Sequence, residues 1–275
     1  MMGRTFTGRL RDGADNAMAS PTRWDADLVT VVERRLDVLD ALDRPREKRD
    51  LLDDVDVSRS TMDRAIRELE ALGLVDRDGG YHLTVTGRLV FELFEGLFSD
   101  LDDVGAAREL LDHLPRDAPM SPAMLRDARV EVAESPSPTA VLEHVLELFQ
   151  DADRMRAFSV AVSRPDYADD VRDILRSDEL SVECIYTPEI VEFGRENREN
   201  FPEFLENVPV DPYVHPDLPY ALRLADLPDG KAVAITIYDE VWTPRGVILN
   251  DTDAAYDWAA DLFERFLESA DPLAP

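Results

Sequence analysis

The sequence predicts an α+β protein with an N-terminal helical domain that ends in a β-hairpin, a helical connector and a C-terminal mixed α/β domain. Three observations predict this fold class. Apolar residues recur at helical spacing through most of the first hundred residues, an Asp-Gly-Gly turn follows the third helical segment, and short apolar strands alternate with helices in the second half. The 275 residues are enough for two modest domains with separate cores.

Charge is distributed unevenly along the chain. The formal net charge is −29, and 28 of the 30 basic residues are arginine, as in the solvated acidic surface of a halophilic protein. This sign disfavours a role for the whole chain on membranes or polyanions. Residues 1–98 hold 15 basic and 20 acidic residues, whereas residues 99–275 hold 15 and 39. The nearly neutral N-terminal third therefore predicts a function there that needs positive charge.

The single cysteine, Cys184, excludes an internal disulfide and favours a reducing compartment. It lies in the apolar run LSVECIYT, which predicts a buried side chain rather than a reactive thiol. No stretch approaches the roughly 18 apolar residues of a membrane span, and the N-terminus lacks the apolar core of a secretory signal. We expect a cytoplasmic protein with no membrane contact, in which residues 1–19 form a flexible tail.

Three helices and a hairpin are predicted in the N-terminal third. Ser20-Pro21 caps the first helix, whose apolar stripe is Leu28, Val31, Val32, Leu36, Leu39 and Leu42. A short helix follows over residues 47–54. After a tight turn, Ser58 caps a third helix that ends at Gly73. The segment LVDRDGGYHLTVTG then predicts a hairpin. This order is the plan of a winged helix-turn-helix, whose capped helix enters the DNA major groove.

The third helix is predicted to expose its arginines, because Met62, Ala65, Ile66 and Leu69 form its inward face. Arginine forks suit guanine edges and phosphates, and small hydroxyl residues allow a close approach. The alternative is that these arginines only solvate the surface, beside Asp63. The predicted DNA-binding residues are Ser58, Arg59, Ser60, Thr61, Arg64 and Arg67 on the helix, Arg77 on the hairpin, and Arg46, Lys48 and Arg49, with Arg44 in the same cluster.

The segment VSRSTMDRAIRELEALGLVDRDGGYHLTVTGRLV resembles the winged helix of archaeal regulators of the MarR/ArsR-like group. It is most similar to the methanogenesis-regulator (filament-regulator) family of haloarchaea. The resemblance continues through HLPRDAPMSPAMLRDARVEVAESPSP and DGKAVAITIYDEVWTPRGVILNDTDAAYDWAADLF, and covers most of residues 24–268. It implies sequence-specific binding to double-stranded DNA and a C-terminal domain that senses a small molecule or a partner.

A long helix is predicted from Val85, with the stripe Leu89, Val90, Leu93, Phe94, Leu97, Phe98 and Leu101. This stripe is wider than a small core needs, so it could contact the first domain, the next domain or its own copy. We favour a homodimer, since helix-turn-helix proteins commonly bind two half-sites as two-fold dimers. Proline-rich segments divide the chain into a DNA-binding domain with its connector helix (20–100), a connector (101–137) and an α/β domain (138–275).

The C-terminal half is predicted to be a mixed sheet covered by helices. Helices are expected over residues 138–151, from Ser163, from Thr187-Pro188 and at the C-terminus, where Ala255, Trp258, Leu262, Phe263, Phe266 and Leu267 face inward. Strands are expected over 154–163 and 180–187, followed by the short strands VDPYVH, YALRLADL, KAVAITIYD, EVWTP and GVILND.

No catalytic motif is recognisable, and we expect neither an enzyme nor a cofactor. Neither lysine lies two residues after a histidine, so the His-x-Lys pair of phospholipase-type chemistry is absent, and the histidines have no metal-ligand spacing. Polar and aromatic groups near strand ends could instead bind an effector: Ser159, Ser163, Tyr186, Tyr220, Arg223 and Trp242. Arg223 could hold an anion or could equally pair with an acid on an exposed strand face, and for Trp242 we favour a place in the core or an interface over a role in ligand binding.

The predicted function is therefore a DNA-binding transcriptional regulator whose C-terminal domain senses a small molecule or partner. Two alternatives remain open at this point. An enzyme with an unrecognised site in the C-terminal domain predicts turnover that survives deletion of residues 1–100. An interaction adaptor predicts that arginine changes in the third helix leave the activity intact.

Overall fold

The computed structural model describes residues 23–42, 44–161, 180–197 and 210–273. The chain divides into two compact units, residues 1–98 and 99–275. The predicted tail over residues 1–19 and the predicted helix from Ser163 lie outside the described residues. None of the described helices is long and apolar enough to cross a membrane.

The first unit contains four helices, a hairpin and the start of a long helix. In chain order these are α1 (Arg23–Arg34), α2 (Leu36–Asp40), α3 (Lys48–Asp54), α4 (Arg59–Ala71), β1 (Val75–Arg77), β2 (Tyr81–Leu83) and α5 (Val85–Leu111). The single helix expected before residue 42 is divided at Arg35, whose backbone leaves the helical region at φ −124° and ψ 15°. At this break the Arg35 guanidinium donates two hydrogen bonds to Glu68 of α4, from Nε (3.1 Å) and from Nη2 (2.9 Å). The break between α1 and α2 is therefore tied to α4.

The core of the first unit is formed by the apolar faces of these elements. Its fully buried members include Val32, Leu39, Leu51, Met62 and Leu69. The hairpin pairs antiparallel and turns through Gly79 and Gly80, whose φ values of 67° and 127° suit glycine. Arg46, in the segment before α3, forms an antiparallel bridge with Tyr81 of the hairpin. The sequence did not predict this contact. Arg46 and Tyr81 exchange two backbone hydrogen bonds, of 2.9 and 2.8 Å.

The second unit is built on a mixed sheet, as the sequence predicted, and eight of its strands lie among the described residues. Its strands are β3 (Arg129–Val132), β4 (Arg154–Ser159), β5 (Ser181–Tyr186), β6 (Val210–Val214), β7 (Ala221–Leu227), β8 (Gly230–Tyr238), β9 (Pro244–Asn250) and β10 (Asp271–Pro272). The order is β10-β6-β5-β4-β7-β8-β9-β3, with β4, β5 and β6 parallel and the other pairings antiparallel. Residues 101–137, predicted as a connector, contribute the edge strand β3.

Helices lie on both faces of this sheet. They are α6 (Pro122–Leu125), α7 (Leu142–Asp151) after a 3-10 turn (Pro138–Val141), α8 (Pro188–Asn197) and α9 (Asp253–Leu267). One face packs on α9 and α6 around Phe158 and Phe263, and the other packs on α7 around Met155 and Ala157.

Two predicted strand assignments in this unit are wrong. The segment EVWTP is mainly the turn between β8 and β9, where Asp239 Oδ1 accepts hydrogen bonds from the backbone N–H groups of Val241 (3.0 Å) and Thr243 (2.9 Å). The strand expected over 154–163 ends at Ser159. The apolar run after β4 is longer than the hydrogen-bonded ladder, whereas Asp239 and Glu240 end the apolar run of β8 before the turn.

Candidate nucleic-acid interface

Helix α4 begins with a network of hydroxyl groups. Ser58 is the N-cap, and its Oγ accepts a hydrogen bond from the backbone N–H of Thr61 at 3.2 Å. The same Oγ lies 2.9 Å from Ser60 Oγ and 2.8 Å from Thr61 Oγ1. No acidic side chain occupies the first turn, so the N-terminal end of the helix keeps the partial positive charge that attracts phosphate.

The outward face of α4 is the arginine surface predicted from sequence. Met62, Ala65, Ile66 and Leu69 are buried, which leaves Arg59, Arg64 and Arg67 exposed. Arg67 Nε donates to the backbone oxygen of Asp63 at 3.0 Å, which holds its side chain along the helix. Arg64 lies 3.3 Å from Glu68, one turn further on. The helix thus presents three guanidinium groups beside its exposed hydroxyl residues.

Two basic residues near α3 are bound to carboxylates. Lys48, in the first turn of α3, pairs with Asp63 of α4. Arg46 pairs with Asp54 at the end of α3, while its backbone pairs with the hairpin. Within the described residues, Arg49 and Arg59 have no ion pair. The predicted basic residues therefore fall into two groups. Some are paired with a carboxylate, and others are exposed and have no carboxylate partner among the described residues.

The hairpin holds Arg77 against an aromatic ring. Arg77 and Tyr81 are direct cross-strand partners, and the guanidinium carbon of Arg77 lies 5.2 Å from the centre of the Tyr81 ring. This stacking orients an exposed cation at the hairpin tip. Because Tyr81 also pairs with Arg46 through its backbone, one residue connects two of the predicted basic positions.

The predicted effector residues of the second unit do not form one cluster. One face of the sheet carries Ser159, Tyr186 and Arg223. The register of β4 with β5 and β7 pairs Ala157 with Cys184 and with Arg223, and strand alternation puts Ser159 and Tyr186 on the same face. Tyr220 is buried on the opposite face, where its hydroxyl donates to Pro119 O at 2.6 Å. Trp242 lies in the turn after β8 with 55% of its surface exposed, and Ser163 lies outside the described residues.

Arg223 has a structural contact that the sequence did not reveal. Its Nη1 donates to Phe158 O (2.7 Å) and Leu222 O (2.9 Å), near the end of β4. Burial raises the pKa of the neighbouring Cys184 thiol to about 11, although Arg223 and Tyr186 oppose the shift. Cys184 is therefore the inert, buried thiol that the sequence predicted.

A charged network that the sequence analysis missed lies on the other face of the sheet. Arg156 is 8% exposed, donates to the Tyr256 hydroxyl at 3.0 Å and lies 3.3 Å from Glu264. The Tyr256 hydroxyl in turn donates to Asp226. Burial and the bond to Asp226 raise the Tyr256 pKa. Arg156 and Ala157 are neighbours in β4, so strand alternation puts them on opposite faces of the sheet. The network therefore lies on the other face from Arg223.

No group of three or more possible metal ligands occurs among the described residues.

Two family models match consecutive parts of the chain. Residues 23–109 match the HVO_A0261 N-terminal domain, and residues 138–269 match the middle domain of methanogenesis regulatory protein FilR1. No curated protein is detectably similar in sequence. The match over residues 138–269 supports a transcriptional regulator.

Solved structures resemble the chain only distantly. TrmBL2, described as an archaeal chromatin protein with a novel mode of DNA binding, is 12% identical, with 88% of this chain and 94% of that chain covered and a TM-score of 0.42. The phospholipase D family member Nuc from Salmonella typhimurium is 12% identical, with 54% and 99% covered and a TM-score of 0.40. Likenesses at this distance carry no argument about function.

Proposed function

We propose that this chain is a sequence-specific DNA-binding regulator whose first unit is a winged helix-turn-helix. In this proposal α3 and α4 form the helix-turn-helix, α4 enters the major groove by its N-terminal half, and the β1–β2 hairpin is the wing. The observation that carries the proposal is the exposed face of α4, where Arg59, Arg64 and Arg67 lie beside hydroxyl residues at an uncompensated helix N-terminus. The match of residues 138–269 to the middle domain of a regulatory protein supports a regulatory role for the chain.

The ion pairs suggest different roles in DNA binding for the basic residues. Arg59 has no carboxylate partner among the described residues, so it is available for a guanine edge or a phosphate without breaking a contact. Lys48 and Arg46 exchange Asp63 and Asp54 for phosphate oxygens on binding. Such an exchange replaces one ion pair by another, so we expect these two residues to position the protein and to add little net affinity.

The proposal is tested by binding of the full chain to a fragment of its own promoter in concentrated KCl, measured by fluorescence anisotropy. The test variant is Arg59→Ala/Arg64→Ala. Each good base contact contributes about 1–3 kcal/mol, so the double variant should bind at least tenfold more weakly. A fragment of shuffled sequence gives the non-specific affinity.

A matched control removes the same charge elsewhere. Arg116 and Arg195 are exposed residues of the second unit, and Arg116→Ala/Arg195→Ala should leave the affinity within twofold of wild type. Equal losses in both double variants indicate a general charge effect and contradict recognition by α4. An unchanged affinity in the Arg59/Arg64 variant, with its circular dichroism intact, favours the adaptor alternative.

We further propose that the second unit senses a small molecule or partner and that the chain has no catalytic role. The match of residues 138–269 to the middle domain of a regulator supports the sensor. A ligand that binds one arrangement of the protein more tightly changes its affinity for the operator through a population shift. The test adds the small-molecule fraction of a cell extract to the anisotropy assay. A change of about fivefold or more in operator affinity is expected, and no change with any extract contradicts sensing of a small molecule.

A further inference from the structure

Glu68, near the end of α4, uses its two carboxylate oxygens for two different arginines. Its Oε2 accepts two hydrogen bonds from Arg35, at 3.1 Å from Nε and 2.9 Å from Nη2. Its Oε1 lies 3.3 Å from Nε of Arg64. Glu68 therefore connects an arginine at the break between α1 and α2 to an arginine on the candidate DNA-binding face of α4.

The Arg35 end of this connection is held firmly. The Arg35 side chain is only 15% exposed. Its backbone oxygen accepts hydrogen bonds from the N–H groups of Val38 (3.0 Å) and Leu39 (2.9 Å), which are buried in the core of the first unit. Charge-assisted hydrogen bonds such as those from Arg35 to Glu68 are roughly twice as strong as neutral ones. Because the pair is also partly shielded from water, it fixes the position of the Glu68 carboxylate.

The Arg64 end of the connection faces solvent. The Arg64 side chain is 72% exposed, and Nε is the atom that pairs with Glu68. An arginine that is held through Nε keeps its terminal Nη1 and Nη2 groups for another acceptor. Guanine offers O6 and N7 side by side in the major groove, and these two atoms accept such a pair of N–H groups. Glu68 thus leaves Arg64 with the donors that a guanine contact needs.

We propose that Glu68 is a positioning residue for DNA recognition, which is anchored by Arg35 and presents the terminal fork of Arg64 to a guanine of the operator. An arginine that is ordered only on binding loses affinity by roughly two- to twelvefold through its lost rotamer freedom. Arg64 is ordered by Glu68 before the DNA arrives, so it avoids much of this loss. The inference rests on the proposed function, because it names the base that the proposed recognition helix reads.

A purely structural or purely electrostatic role of Glu68 has different consequences. Phosphates carry no sequence information, so a change of charge alone alters the affinity for every DNA fragment alike. In concentrated KCl this effect is also short in range, since the screening length is about 3 Å at 1 M salt. Positioning of Arg64 instead acts on one base, and only while that base carries an acceptor at N7. The two kinds of role can therefore be separated by experiment.

The test uses promoter fragments in which single guanines are replaced by 7-deazaguanine, which keeps base pairing but lacks N7. Binding of the full chain is measured by fluorescence anisotropy in concentrated KCl. Wild type should lose at least about fivefold in affinity at one or more of these guanines. Arg64→Ala should be insensitive to the replacement at one of them, which identifies the guanine that Arg64 contacts.

Glu68→Gln should bind the unmodified promoter fragment about fivefold more weakly than wild type. Its sensitivity to the loss of N7 at the Arg64 guanine should shrink by a similar factor, because both effects pass through one contact. Its affinity for a fragment of shuffled sequence should change less than twofold. Arg35→Gln, which removes the anchor and leaves Glu68 and Arg64 in place, should behave in the same way.

Glu70→Gln is the matched control. Glu70 is an exposed acid of the same helix and has no ion pair among the described residues, so this change removes the same charge without touching Arg64. It should leave both the affinity for the promoter and the sensitivity to N7 within twofold of wild type. Circular dichroism under the assay conditions checks that each variant is folded.

The outcomes distinguish this inference from the proposed function. Wild type that binds promoter and shuffled fragments equally well overturns the proposed function and the inference with it. Specific binding by wild type, with Glu68→Gln as sensitive to N7 as wild type, overturns the inference alone. It is also overturned if no guanine depends on both N7 and Arg64, or if Glu68→Gln loses the same affinity on every fragment.

Discussion

Replacement of Gly87 by alanine should destabilise the first unit, although alanine is the better helix former. Gly87 lies in the first turn of α5, where a Cβ would come within 2.0 Å of Leu74 O and 2.9 Å of Leu74 C. Both atoms belong to the backbone that leads into the hairpin, and Leu74 O also accepts the backbone N–H of Thr84. The helix and the hairpin therefore cannot keep their present separation once a methyl group is added.

The expected magnitude follows from two opposing contributions. Alanine in place of glycine stabilises a helix interior by about 1 kcal/mol. Overpacking costs about 1–3 kcal/mol and occasionally more, and a backbone contact this short belongs at the upper end. We expect a net loss of about 2 kcal/mol in the free energy of unfolding. For a unit of about 100 residues this lowers the melting temperature by roughly 8–16 °C.

The assay is denaturation by urea and by heat, followed by circular dichroism. Gly105→Ala is the control, because the same change on the same helix meets open space and should raise stability by up to about 1 kcal/mol. If Gly87→Ala is as stable as wild type, the close approach of α5 to the residues before β1 is refuted. Operator affinity should fall in the same variant, since the hairpin is held by this contact.

Three further changes have expected outcomes. Ser58→Ala should cost about 1 kcal/mol of unfolding free energy through the lost N-cap, and Ser60→Ala, which removes no cap, should cost less than half of that; equal losses contradict the capping role. Cys184 is buried and has a pKa raised to about 11, so it should react with a thiol reagent at pH 8 at least about a hundredfold more slowly than in the unfolded chain, and fast labelling contradicts its burial. Tyr256→Phe removes an acceptor of the buried Arg156 and should cost about 1–3 kcal/mol in urea denaturation; no loss shows that Arg156 is satisfied elsewhere.

Local patterns predicted the first unit well, because caps and turns depend on neighbouring residues. The Ser58 cap and the glycine after α4, Gly73 with φ 72°, lie where the sequence placed them. What the sequence did not show are pairings between distant segments. The contact of Arg46 with Tyr81, and the pairing of Lys48 with Asp63, depend on the tertiary fold and leave no periodic signal.

In the second unit the sequence predicted the sheet. It also showed that two of the predicted effector residues cannot share one face of that sheet. Tyr220 and Arg223 are three residues apart along an extended chain, so strand alternation already places them on opposite faces. That signal was available in the sequence. The edge strand β3 was harder to predict, because four residues with alternating charges between proline-rich segments resemble a linker.

The measurement that tests the central claim most directly is dimethyl sulfate protection of the operator by the full chain. If α4 enters the major groove, guanine N7 atoms should be protected in two clusters about one helical turn apart, roughly 10 base pairs. The Arg59→Ala/Arg64→Ala variant should lose this protection. Bound DNA whose guanine N7 atoms stay reactive, or protection that survives in the variant, contradicts recognition by α4.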